Sequence, residues 1–261
     1  NARLQGPARP KGRQAVSAST LHIGVLMPEV LGTYGDTGNA LILAERARRR
    51  GIDAEVVHVS LTEEIPDSLD IYTLGGGEDT AQALAADKFR GTSGLARALD
   101  AGRPLLAICA SLQVLGHWYE DARGVRVPGM GVLDITTQPQ GHRAIGELVT
   151  LPLVDGLTHP LSGFENHGGG TVLGPDAAPL GRVVAGVGNG TPQGCEPAEV
   201  AYDGAVQGSI IATYMHGPAL ARNPELADLL LERATGVALE PLEVPGVAQL
   251  RAQRLSGVQL S

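Results

Sequence analysis

The chain has 261 residues, 43% of them hydrophobic and 18% charged, which is enough to bury one large core or at most two small ones, and one domain is expected. A net charge of -8 excludes a nucleic-acid surface, because phosphate binding needs clustered Lys and Arg. The one dense basic run, Arg46, Arg48, Arg49 and Arg50, ends a predicted helix, where cations complement the helix dipole. Two distant cysteines, Cys109 and Cys195, exclude a disulfide framework; no apolar run approaches 18 residues, so neither a membrane span nor a signal peptide is read, and a cytoplasmic protein is expected.

Residues 1–19 are rich in Pro, Gly, Arg and Ser and are read as a flexible extension or partly an expression remnant, outside a fold expected over residues 20–236. Leu21 to Met27 reads as a strand, followed by the Gly-rich loop Gly32-Thr33-Tyr34-Gly35-Asp36 and a helix with Leu41, Ala44 and Ala47 on one face that stops at Gly51. Strands follow at Ala54 to Val59 and Leu69 to Leu74, then a helix through Leu95, Ala98 and Leu99, then the wholly apolar strand Pro104 to Ile108. Short apolar strands alternating with helical crossovers imply a parallel sheet covered on both faces, an α/β doubly wound fold. After residue 122 the texture changes. Arg143 to Pro152, Arg182 to Val187 and Ser209 to Thr213 read as antiparallel hairpins added to that core. A last helix runs from Asn223 to Ala234 with Asn223 as N-cap, Pro224 at its first position and Gly236 beyond its end; residues 237–261 form a weakly patterned surface tail.

Three segments carry chemistry. In Leu105-Leu106-Ala107-Ile108-Cys109-Ala110-Ser111-Leu112-Gln113 a cysteine follows a buried strand between small neighbours, the pattern of a nucleophile elbow. A helix N-terminus and a nearby base would favour its thiolate, whereas the plainer reading is a buried structural cysteine. Gly75-Gly76-Gly77-Glu78-Asp79 ends another parallel strand on the same sheet edge, where one of its amides, with that of Ala110, could face a developing oxyanion. By itself it is equally an ordinary loop, and it lacks the Lys-Ser/Thr of a P-loop. In Thr213-Tyr214-Met215-His216-Gly217-Pro218 a histidine ends an apolar strand and can serve as general base, then acid. Cys195, in a Gly/Pro-rich loop, receives no role.

Together, Gly75-Gly76-Gly77-Glu78-Asp79, Cys109-Ala110-x-x-Gln113 and Tyr214-x-His216-Gly217-Pro218 resemble the class I, triad-type glutamine amidotransferases, in the branch that includes cobyric acid synthase. Gly32-Thr33-Tyr34-Gly35-Asp36-x-Gly38-Asn39, Arg143-Ala144-Ile145-Gly146-Glu147, Gly163-Phe164-Glu165-Asn166-His167 and Gly188-Asn189-Gly190 narrow the resemblance to the GatD-type small subunits of lipid II isoglutaminyl synthase, over about residues 21–235. That resemblance implies a flavodoxin-like amidotransferase fold and a glutaminase that passes ammonia from L-glutamine to a Mur-ligase-like partner, MurT. The partner would use ATP and Mg to activate the α-carboxylate of D-glutamate in the lipid II stem peptide, giving D-isoglutamine; no cofactor is implied for this chain, and lipid II is reached only through the partner. It further implies Cys109 as nucleophile, His216 as its base, Gly76, Gly77 and Ala110 at the oxyanion hole, and Arg143 and Gln113 as substrate-binding residues, Arg143 gripping the glutamine carboxylate.

The sequence departs from the class pattern twice. Where most members carry His-x-Glu, Pro218 stands two residues after His216, which leaves a Cys-His dyad whose third member, if any, comes from the partner or from Glu165, the in-chain candidate. Ser111 stands where the family usually has Gly, so its Cβ tightens the elbow. Two other readings stay open at this point: a glutaminase subunit of a corrinoid (cobyric or cobyrinic acid) amidating synthetase, and a noncatalytic binding subunit of the same fold.

Overall fold

The computed structural model describes residues 20–256 and residue 258; the extension assigned to residues 1–19 lies outside them. The first half runs β1 (Leu21–Leu26), α1 (Gly38–Arg48), β2 (Ala54–Val59), β3 (Ile71–Leu74), α2 (Asp79–Arg90), α3 (Gly94–Asp100), β4 (Leu105–Ile108) and α4 (Ala110–Leu115). The second half runs β5 (Trp118–Glu120), β6 (Arg126–Pro128), β7 (Ile135–Pro152), β8 (Leu161–Leu173), β9 (Gly181–Ala185), β10 (Tyr202–Asp203), β11 (Ala205–Gln207), β12 (Ile210–Thr213), α5 (Ala219–Arg222), α6 (Pro224–Thr235) and α7 (Val247–Leu255).

The main sheet has the order β11-β12-β4-β3-β1-β2, with five parallel strands and β11 antiparallel at one edge. Numbered by themselves, the parallel strands follow the order 2-1-3-4-5, the flavodoxin-like arrangement, in which ligands gather at the carboxyl ends of the strands. β3, β4 and β12 are buried at every residue, as expected of central strands covered on both faces. Of the segments read as added hairpins, Arg143 to Pro152 and Arg182 to Val187 fall on β7 and β9 of a second sheet of six strands, β5 to β10, in which β8 pairs along most of β7, whereas Ser209 to Thr213 is β12, which pairs parallel with β4 and so belongs to the main sheet. The β7–β8 ladder shifts register between Pro139 and Ala144, the mark of a bulge or irregularity in the hairpin.

Helix α1 lies rotated from its expected face. Leu41 is exposed, while Ala40, Leu43, Ala44 and Ala47 are buried together with Arg46. The rotation is held by charge: Arg46 clamps Asp228 on α6 with two hydrogen bonds of 2.7 and 2.6 Å, and Arg50 adds a third of 2.8 Å to the same carboxylate. Arg48 donates to the carbonyl of Ala54. The basic run is thus a structural clamp between helices. Helix α2 was not anticipated, because its inner face consists of Gln82, Ala85, Ala86 and Phe89, too small and too polar a stripe to stand out in sequence.

Asn223 occupies the N-cap position of α6 before Pro224, but its side chain does not cap the helix. Its Oδ1 accepts from the Ser162 amide, and its Nδ2 donates to the carbonyls of Ser162 and Ala219, stapling the last helices to β8. The tail carries α7, which buries none of its residues and is held by Arg251 donating to the Pro160 carbonyl. Among the described residues no helix is long and apolar enough to cross a membrane. Replacing Asn223 with Ala would strand the buried amide and carbonyl of Ser162, while the Ala219 carbonyl keeps the main-chain amide of residue 223, so Asn223→Ala should lower unfolding stability by about 3 kcal/mol in urea titration, with secondary structure retained below the transition.

Candidate active site

The chain between β4 and α4 turns so sharply that Cys109 takes φ 52° and ψ -106°, a conformation a residue with a Cβ adopts only under strain of about 1–3 kcal/mol. Neighbours hold it there. The Cys109 amide donates to the Thr213 carbonyl at 2.9 Å, and small Ala107 and Ser111 are fully buried on either side. Ser111 does more than fit: its hydroxyl donates to the Gly75 carbonyl at 2.5 Å, so the elbow and the glycine loop are tied together. The first amides of α4, which have no partner within a helix, lie beside the thiol.

His216 follows β12 and is pinned by its main chain to β8, its amide donating to the Phe164 carbonyl at 2.8 Å and its carbonyl accepting from the Phe164 amide. Its Nδ1 lies 2.8 Å from Oδ2 of Asp36, and both side chains are almost wholly buried. Because a carboxylate only accepts, Nδ1 carries a proton toward Asp36, and Nε2 is the nitrogen left to exchange one. Nε2 is buried without a hydrogen-bond partner among the described residues, on the cavity it shares with Cys109. Burial alone would depress this imidazole, but the hydrogen bond it donates to Asp36 and then the adjacent Cys109 outweigh it and raise its pKa to about 10.

The carboxylate that meets His216 is therefore Asp36, and this corrects the expectation for Glu165. The Glu165 carboxylate accepts from the amides of Val187 and Gly188, at 2.7 and 2.9 Å, and pairs with His167 rather than His216. On a strand, residues 165 and 167 share one face, so Glu165 meets the histidine of its own strand. Asp36 was missed because a loop acid carries no local signature. The available signal was positional: its loop follows β1, β1 pairs with β3, and so the loop must abut Gly75-Gly76-Gly77, as the Thr33–Gly76 bridge records.

The glycine loop also differs in detail. The Gly76 amide donates to Asp36 at 2.9 Å and is thereby committed, so it is not available to an oxyanion. A Cβ on Gly76 would lie 2.4 Å from the His216 ring, which is why only glycine passes there. Gly77 and Ala110 both line the cavity beside Cys109. That cavity, about 690 Å³, also takes in Tyr34, Arg143 and Asn166 at its mouth and Gln113 and His167 deeper in. Arg143 is exposed, its Nε donating to Asn166 Oδ1 at 2.5 Å. Gln113 is buried with both ends of its amide engaged, accepting from Gln82 at 2.6 Å and donating to the Tyr214 hydroxyl at 3.0 Å, so it shapes the floor through a network. Among the described residues no group of three or more His, Cys, Asp or Glu side chains could hold a metal ion.

Residues 22–224 match the CobB/CobQ-like glutamine amidotransferase domain. The chain is 36% identical over 234 residues to a protein of Staphylococcus aureus strain N315 named lipid II isoglutaminyl synthase (glutamine-hydrolyzing) subunit GatD, covering 88% of this chain and 91% of that one. The subunit of the same name from Streptococcus pneumoniae is 32% identical over 240 residues, covering 90% and 89%. A cobyric acid synthase of Methylorubrum populi is 34% identical over 169 residues, 62% of this chain but only 32% of that protein. A crystal structure of a glutamine amidotransferase shares the fold, with a TM-score of 0.50 at 22% identity over 82% of this chain and 99% of that one.

Of the two free cysteines, Cys109 is buried on the cavity it shares with His216, and Cys195 is exposed. At neutral pH a small alkylating agent should modify Cys109 faster than Cys195, and Asp36→Asn should slow the Cys109 reaction by roughly tenfold or more without moving that of Cys195. Peptide mass spectrometry of timed reactions reads both rates.

Proposed function

Because the chain belongs to the CobB/CobQ-like glutamine amidotransferase family, we propose that it is the glutaminase subunit of a lipid II isoglutaminyl synthase, releasing ammonia from L-glutamine. The observation that carries the chemistry is the alignment of Cys109, His216 and Asp36 at the edge of one cavity that also holds an arginine at its mouth. The synthase reading is supported by the near end-to-end match to the two GatD subunits, against a match to only about a third of the cobyric acid synthase, which weighs against a corrinoid system.

In the proposed course His216 Nε2 takes the Cys109 proton, and the thiolate attacks the side-chain amide carbon of glutamine. The C–S bond forms as the carbonyl π pair moves onto oxygen, and the resulting oxyanion is met by the amides of Ala110 and Gly77, each such donor worth about 3 kcal/mol. His216 then returns its proton to the departing nitrogen, so that ammonia leaves as the C–N bond breaks and a thioester remains. Water, deprotonated by His216, attacks the thioester; glutamate leaves and Cys109 regains its proton. Asp36 keeps the imidazole in the tautomer this sequence needs and favours the imidazolium in between. Arg143 grips the carboxylate of glutamine, and Gln113 fixes the cavity floor.

Ammonia would pass to a separate Mur-ligase-like subunit, MurT, which uses ATP and Mg to amidate the α-carboxylate of D-glutamate in lipid II; this chain itself takes no cofactor. Such chemistry on a lipid-linked precursor fits the cytoplasmic face, with contact to the membrane made by substrate and partner.

In the assembled complex, Cys109→Ala should abolish glutamine-dependent amidation of lipid II while ammonium salt still supports it, read by mass spectrometry of the product; retained glutamine use would sink the proposal. The pH profile gives a second check. The imidazolium is the form that protonates the leaving nitrogen, so activity is present below the raised His216 pKa and lost as pH climbs through about 10. The kcat/KM for glutamate release should thus lack a falling limb near neutrality, and Asp36→Asn should both lower kcat by roughly 10³- to 10⁴-fold and bring that limb to lower pH.

A further inference from the structure

Tyr34 is an anomaly on its loop. It adopts φ 59°, a left-handed conformation that bulky side chains rarely take, and its side chain is not rewarded by burial, since the residue is 47% exposed. Strain of this kind persists only where other contacts hold it. The contacts are all at the cavity mouth. The Tyr34 ring stands edge-on to the His216 ring at 4.9 Å between centroids and leans on Phe164 at 5.7 Å. Its hydroxyl meets Nδ2 of Asn166, whose Oδ1 accepts from Arg143.

The direction of that chain of hydrogen bonds follows from the donor inventory. Arg143 Nε can only donate, so Asn166 must turn its oxygen toward Arg143 and its NH₂ toward Tyr34. The Tyr34 oxygen therefore accepts, and its own O–H proton remains free, on a residue that lines the cavity. Among the described residues only Nε of Arg143 is engaged, by Asn166, which leaves its two terminal nitrogens for an anion. Two oriented donors thus converge at one mouth, joined by one asparagine.

Resting on the glutaminase reading, we propose that Tyr34 is a substrate-positioning residue: its phenol donates to the carboxylate of glutamine beside Arg143, while its ring covers His216. The same loop carries Asp36, so the residue that senses the amino-acid end of the substrate and the acid that orients the catalytic histidine move as one piece. A ligand lacking the carboxylate would leave this mouth unpaired.

The test is steady-state glutamate release by the full chain in its synthetase complex, beside ammonium-driven amidation and thermal unfolding. Tyr34→Phe keeps the ring and removes the donor; the expected result is a KM for glutamine raised about tenfold, with kcat within about twofold, and ammonium use and Tm unmoved. Added to Arg143→Ala, Tyr34→Phe should raise KM by less than it does alone, since Asn166 links the two. An unchanged KM in Tyr34→Phe overturns the proposal, as does an equal loss of glutamine and ammonium use. A KM raised by Tyr34→Phe but not by Arg143→Ala supports the role of Tyr34 and removes that of Arg143. A wild-type complex that amidates with ammonium yet releases no glutamate overturns the underlying glutaminase reading, and the proposal with it.

Discussion

One buried carboxylate organises this molecule. Asp36 accepts from His216 Nδ1, from the Gly76 amide and, through its other oxygen, from the Gly217 amide, so a single group joins the loops that follow β1, β3 and β12. Burying a carboxylate is costly unless its lone pairs are filled, and here three donors fill them. The arrangement cannot loosen at one loop without stranding charge at the others. That is how a site assembled from three separate crossovers is held to the tolerance that proton transfer requires.

The second sheet completes what the parallel sheet begins. A doubly wound sheet offers an open edge at the carboxyl ends of its strands, and β7 with β8 folds over that edge as a wall. β8 pins the main chain of His216, presents Asn166 to Arg143 and Tyr34, and stacks His167 on Tyr214 at 3.8 Å. Beneath the cavity a buried run of hydrogen bonds links Gln82, Gln113, Tyr214, Thr171 and Thr137, crossing from α2 and α4 through the segment after β12 to β8 and β7. Such networks specify a unique packing when every member is satisfied. Nearby, burial pushes the Asp203 carboxyl up to about 6 against the hydrogen bonds from Thr213 and the Tyr214 amide. Ser111 belongs to the same logic. Where a glycine would leave the Gly75 carbonyl without this donor, the hydroxyl fastens the glycine loop to the elbow.

The sequence by itself determined four of the five parallel strands, the turn at Cys109 and the histidine after the last strand, because these rest on local rules, but it read that last strand, β12, as an added hairpin. Apolar runs of four to six residues fix buried strands, small residues must flank a strained turn, and Gly-Pro ends a strand. It also led to the glycine loop and to Arg143, through motifs whose order along the chain is meaningful. What it left undecided depends on which loops become neighbours. Asp36 lies 180 residues from His216, and only the pairing of β1 with β3 brings its loop to the site. The same holds for the commitment of the Gly76 amide, the rotation of α1 by the Arg46–Asp228 clamp, and the use of Asn223 as a staple instead of a cap. Each is a hydrogen bond between residues far apart in sequence, and no periodicity or local propensity records such a bond. The sequence therefore singled out Cys109 and His216, and the tertiary structure alone set Asp36 against the histidine.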